Sequence, residues 1–242
     1  LLTLARMPTM SASLGHCVEV MCQNIDGYGH EIVERSTFDG EERPELTQRA
    51  VKKEARDIKN FLATCARGDA QRISFQELRR RTRSDLESTG NGIWEVLRSR
   101  TKRLVGFRHL PSHQFRIVQS DGRAVATTVR ALAEQSDGSF KVEAYDDFVQ
   151  FKAYVQGTAR TGSTGEIRYF KQFGDPRVMD NRTGKYVDGD GARKLPEEHR
   201  ASEIYHFTLY APWTPYGIPR YYGNIISVLG GRAGEETNYR TL

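Results

Sequence analysis

Cysteine is scarce in this chain: Cys17, Cys22 and Cys65 are the three in 242 residues. An odd and small number cannot build a disulfide framework, which fits a reducing interior. No run approaches the roughly 20 apolar residues that a membrane-spanning helix needs. A basic-then-apolar leader with a small-residue cleavage site is also missing, so a non-secreted product is expected. Nor is there a large excess of one charge: 36 basic residues stand against 31 acidic ones, a formal +5. Internal repeats and low-complexity tracts are lacking as well, which sets aside solenoids and tails. What remains is a chain long enough for one large domain or two small ones, with a core that needs no staples. It opens on Leu1 and stops at Thr241-Leu242 within a helical pattern. That is expected of a segment of a longer protein.

The charge that is present is unevenly placed. Between Gln71 and Leu110 ten basic residues face four acidic ones, so this window alone carries +6. Its densest part is Arg79-Arg80-Arg81-Thr82-Arg83. Arginine outnumbers lysine 27 to 9 along the chain, and its planar fork suits interface ion pairs and phosphate contacts. Such a stripe reads as a solvated helix face, a protein contact or a nucleic-acid contact.

Periodicity predicts a helix from Leu4 to about Ile25, with Leu14, Val18, Met21 and Ile25 at helical spacing, stopped by Gly27 and Gly29. A polar break at 39–44 precedes a second helix over Glu45–Arg67. Ser74 with Glu77 three residues on is a capping box, opening a third helix that runs to about Ser88. After Thr89-Gly90-Asn91-Gly92 the pattern changes to alternation. Strands are expected at 93–98, 105–110, 114–118, 140–145, 148–155, 167–173 and 203–210. Residues 180–191 read as turns, and helical spacing returns from Arg220. The fold class is α+β: amino-terminal helices, a mostly antiparallel sheet region, then a further helix.

The search for chemistry comes back empty. Gly157–Ser163 imitates a phosphate loop, but it lacks the lysine after its last glycine and a strand follows it. Counting a calcium loop from Asp188 puts His199 where glutamate is required, and turn chemistry accounts for the Asp and Gly residues of 180–191. Cys17 and Cys22 have no second ligand pair and read as small core residues, while Pro111 separates His109 from His113. No Gly-x-Ser-x-Gly elbow occurs, and no pair of carboxylates stands out. His206 sits inside an apolar strand and reads as a satisfied interior histidine anchoring a loop. No catalytic residue, metal or cofactor is expected.

Several segments, in order, resemble the tailed-phage portal protein family, particularly its PBSX-like branch. Asn24-Ile25-Asp26-Gly27-Tyr28-Gly29 is similar to the family's helical opening. Gly90-Asn91-Gly92-Ile93-Trp94-Glu95 resembles its Gly-Asn strand, although here the aromatic Trp94 directly precedes Glu95, and Gly106-Phe107-Arg108-His109-Leu110-Pro111 its next strand. Tyr169-Phe170-Lys171-Gln172-Phe173-Gly174-Asp175 resembles a further strand. The most specific segment is Glu203-Ile204-Tyr205-His206-Phe207, followed by Thr214-Pro215-Tyr216-Gly217-Ile218-Pro219-Arg220-Tyr221-Tyr222-Gly223, with Thr214 where serine is usual. The likeness is thin over 118–160, where the chain carries its own β insertion.

The resemblance implies a non-enzymatic structural subunit of a homododecameric ring at one capsid vertex, in the virion and, during assembly, in the host cytoplasm. Double-stranded DNA passes through such rings in packaging and ejection. Partners would be other copies of the chain, the major capsid protein, terminase and head–tail connector or neck proteins, with no membrane. Stem and clip follow the signature helix in the family, so this chain corresponds to the wing. Residues 1–90 would be its helical part, 91–212 its β-rich part, and 213–242 the start of the helix leading towards the stem. The signature residues are Asn91, Trp94, Glu95, His206, Pro215, Tyr216, Gly217, Pro219 and Tyr222. Arg79, Arg80, Arg81 and Arg83 are candidate subunit, capsid or nucleic-acid contacts. The alternatives are a stand-alone nucleic-acid-binding module using the 71–110 stripe and, more weakly, a hydrolase with an unrecognised site.

Overall fold

A computed structural model describes residues 1–32, 45–68, 71–118, 129–134, 140–145, 150–155, 166–187 and 189–241. The phosphate-loop imitation at 157–163 therefore lies outside the described residues.

The chain opens with two helices, α1 (Leu2–Met10) and α2 (Ala12–Asp26), where one was expected. Ser11 is extended and its hydroxyl accepts the Leu14 N–H, so it caps α2 and breaks the run. Helix α3 (Glu45–Thr64) ends before Arg67, because Ala66–Arg67 peels away as a short strand, β1. The Phe107 N–H bonds to the Cys65 carbonyl at this point, and the two backbones run close together. Helix α4 (Phe75–Thr89) starts as expected, with the Ser74 hydroxyl accepting the Glu77 N–H. It stops at Gly90, whose φ of 79° is the left-handed conformation glycine adopts freely.

Strands β2 (Asn91–Arg98), β3 (Leu104–Leu110) and β4 (Phe115–Ile117) follow. Next come β5 (Val129–Glu134), which the sequence reading lacked, and β6 (Phe140–Tyr145), paired in a separate two-stranded sheet. β7 (Gln150–Val155) and β8 (Glu166–Gln172) return to the main sheet. A short helix, α5 (Gly189–Lys194), stands where only turns were expected. β9 (Glu203–Thr208) and α6 (Ile225–Thr241), preceded by a 3₁₀ turn at Arg220–Asn224, complete the described chain.

The main sheet has the order β1-β3-β2-β9-β8-β7-β4. It is antiparallel except where β1 meets β3 and where β8 meets β9, so the α+β expectation of a mostly antiparallel sheet holds. Alternation along β2 sends Ile93 to one face, where it packs with Phe115, Phe151, Phe170 and Ile204. Trp94 faces the other way, between Phe107 and Phe207, and its indole N–H donates to the Thr82 hydroxyl of α4 at 2.6 Å. The amino-terminal helices have their own apolar cluster of Met7, Leu14, Val18 and Cys22, joined by Tyr221, Ile225 and Val228 from the far end of the chain. Cys22 thus fits the core reading, whereas Cys17 is exposed and does not. Its place on α2, one residue before the buried Val18, turns it outward. No helix among the described residues is long and apolar enough to cross a membrane.

Candidate functional site

Where α4 passes into β2, the chain meets the loop after β9 in a buried joint. Asn91 is 1% exposed. Its amide N–H groups donate to the carbonyls of Thr89 (2.8 Å) and Gly217 (3.0 Å). Its amide oxygen accepts the Gly217 N–H at 2.8 Å and lies 3.1 Å from His206 Nε2. An amide oxygen only accepts, so Nε2 carries the imidazole proton, and all four bonding positions of Asn91 are filled. The two bonds to Gly217 are made across 126 residues of sequence. With the imidazole buried beside this oxygen, desolvation pushes His206 down to about 4 from its ordinary 6.5.

The joint requires two glycines in contact. A Cβ on Gly217 would stand 1.8 Å from the Gly90 carbonyl oxygen, and one on Gly90 would stand 2.4 Å from the Gly217 carbonyl carbon. The Gly90 carbonyl instead accepts the Leu209 N–H at 2.8 Å. Around this contact the Thr89 hydroxyl lies 2.8 Å from that of Ser112, and the Ser112 N–H donates to Asp85, which also touches His109 at 3.1 Å. The Tyr216 hydroxyl accepts the Ile117 N–H at 2.8 Å, holding the loop on β4.

Asn91, His206, Tyr216 and Gly217 are thus brought together. Pro219 is buried close by, and Tyr222 and Pro215 are exposed. Trp94 lies on the other sheet face, and Glu95 is buried beside Arg108, 3.4 Å from its guanidinium. Thr89, Ser112 and Asp85 belong to the joint without having been singled out in the sequence; short polar residues flanking a helix end are too common to signal it.

A cavity of about 380 Å³ opens beside the joint, lined by Leu4, Arg116, Trp213, Tyr216, Pro219 and Tyr222 among others. Its rim is apolar and strongly exposed: Trp213 is 76% accessible and Tyr222 51%. Tyr210 (88%) and Ile226 (82%) are exposed as well.

The arginine cluster does different work from one residue to the next. Arg79 and Arg83 both reach Asp26 at the end of α2, at 2.6 and 3.1 Å, where the carboxylate is almost fully buried. Arg81 pairs with Glu77 on its own helix. Arg80 is exposed. Glu87 is buried between Arg83 and Arg220, at 3.6 and 3.7 Å. In the turn region Asp180 accepts the Arg182 N–H at 2.8 Å and pairs with its guanidinium, which is turn chemistry. The Arg182 hydrogen bonds hold the Asp180 carboxyl below its usual range. Among the described residues no three metal-ligating side chains come together.

No family model matches the chain. It is similar to phage-like element PBSX protein XkdE of Bacillus subtilis (strain 168), with 28% identity over 229 residues. That match covers 95% of this chain and 42% of the relative. It is also similar to the uncharacterized protein YqbA of the same strain, 30% identical over 155 residues, 64% of this chain and 27% of that protein. The chain therefore spans less than half the length of either relative.

Proposed function

We propose that the chain is the wing part of a phage-related structural subunit, one that assembles into the portal ring at a capsid vertex. The name of the similar PBSX-element protein supports a phage-related origin. The observation that carries a structural role is the joint itself. The segments most like the portal signature spend their polar groups on one another, in a buried contact of two glycines and a saturated asparagine. Such an arrangement fixes a shape and leaves no nucleophile paired with a base. The exposed Trp213 and Tyr222 at the cavity rim then offer apolar surface of the sort that other chains cover.

On this reading the protein is non-enzymatic. It contacts neighbouring copies, the major capsid protein, terminase and connector or neck proteins, around double-stranded DNA. It resides in the virion and, during assembly, in the host cytoplasm. Residues 1–90, 91–212 and 213–242 are the helical wing, the β-rich wing and the lead into the stem. Native mass spectrometry of the full-length product tests it. A closed ring of about a dozen copies is the expected result. A stable monomer whose affinity for short DNA falls steeply with salt would replace it with the nucleic-acid-binding alternative.

A further inference from the structure

The cavity beside the joint has hydrogen-bond donors to spare and no acid. Neither aspartate nor glutamate is among its described lining residues, and Arg116, on the edge strand β4, is the one charged side chain there. Its Nη1 donates to the carbonyls of His113 (2.8 Å) and Phe115 (2.6 Å). Those bonds use both Nη1 protons and bring no negative charge, so Nε and Nη2 keep three N–H donors. No carboxylate among the described residues pairs with Arg116. The Tyr216 hydroxyl accepts the Ile117 N–H, and among the described residues its own proton meets no acceptor.

The strand register adds an independent observation. β4 and β7 set Arg116 directly opposite Lys152. Like charges in a cross-strand pair repel, and no described carboxylate pairs with Lys152 either. An anion seated on Arg116 would relieve that repulsion. The rest of the wall is apolar, with Leu4, Trp213, Pro219 and Tyr222.

We propose that this cavity docks a segment of a partner protein in which an aspartate or glutamate adjoins a large apolar side chain. The carboxylate takes the spare N–H groups of Arg116 and the Tyr216 hydroxyl, a charge-assisted and forked contact. The apolar side chain lies against Trp213, Pro219 and Tyr222. Uncompensated positive charge selects an acidic segment over a basic one. A volume of about 380 Å³ holds one such side chain with its neighbouring carboxylate. The aromatic rim outside the cavity favours a protein chain over a free acid, because a free acid would leave Trp213 and Tyr222 wet. The inference rests on the reading of those two residues as surface that another chain covers, and not on ring closure.

An array of short random peptides, probed at low salt with the full-length protein, tests it. The expected binders carry Asp or Glu next to Leu, Phe or Trp. Arg116→Gln should weaken the best binder by about tenfold or more, and Trp213→Ser should weaken it as well. Both side chains are exposed, so the fold is expected to survive. Arg103→Gln, exposed between β2 and β3, removes the same charge elsewhere and should leave binding unchanged. No enrichment, enrichment of basic peptides, or binding undiminished in Arg116→Gln overturns the proposal. Phenylacetate binding as tightly as the best peptide also overturns it, by making the occupant a small organic acid. A closed ring that selects no peptide defeats this inference alone, whereas a stable monomer that selects acidic–apolar peptides upholds it while the ring reading falls.

Discussion

At Asn91 the amino-terminal helices are tied to the sheet through neutral groups only: two carbonyls, one peptide N–H and an uncharged imidazole. At Asp26 the tie between α2 and α4 is made by one buried carboxylate and two arginines that are about a quarter exposed. The neutral contact works by close approach and tolerates no added atom. The charged contact works through long side chains that can adjust, and water shares in it. The first specifies one geometry, while the second holds two helices together across a small range of positions.

The comparison breaks most sharply at Gly217. Gly217→Ala would drive a methyl into the Gly90 carbonyl, so a loss of about 4 kcal/mol or failure to fold is expected, read by denaturant unfolding. Acid sharpens it next. The folded state holds His206 at about 4 against an ordinary 6.5. The folded chain therefore binds fewer protons than the unfolded one in that window. The contribution is fully present above about pH 6.5 and is lost as pH falls through it towards 4. Between pH 7 and 4 it amounts to about 3 kcal/mol. His206→Gln should flatten the stability curve there relative to the parent, and a variant with the parent's slope would remove the neutral-joint account. The smaller effect lies at the charged tie. Asp26→Asn leaves two arginines without their carboxylate and should cost about 2 kcal/mol. Arg80→Ala, on the exposed side of the same helix, should stay within about 0.5 kcal/mol.

Local signals in the sequence were legible where local physics decides. The Ser74 cap, the Gly90 stop and the alternation of Ile93, Trp94, Glu95 and Val96 each follow from a few adjacent residues, and the structure has them. The break at Ser11 was hidden because apolar spacing continues across it. The short helix at Gly189–Lys194 was hidden because glycine and aspartate read as turn. The strand β5 gave too little alternation to stand out. At the joint, Asn91, His206, Tyr216 and Gly217 could be singled out by resemblance, but nothing local says that they touch. Likewise the arginine cluster read as one stripe. Asp26, 53 and 57 positions before Arg79 and Arg83, draws those two inward, while Arg81 pairs along its own helix and Arg80 is left exposed.

The position of β9 bears on how the chain acquires its form during synthesis. β9 lies between β2 and β8, and joins β1-β3-β2 on one side to β8-β7-β4 on the other. Both halves precede it in the chain, so a ribosome releases two incomplete sheets with open edges before the strand that unites them emerges. Pairings such as Asn91 with Thr208 join residues more than a hundred positions apart, and long loops of this kind close slowly. Until residue 208 and the loop bearing Gly217 are out, the open strand edges of β2 and β8 are exposed to other nascent copies. Assembly of the main sheet is thus a late, single closing event, and truncation before β9 would leave two separate pieces rather than a smaller version of the fold.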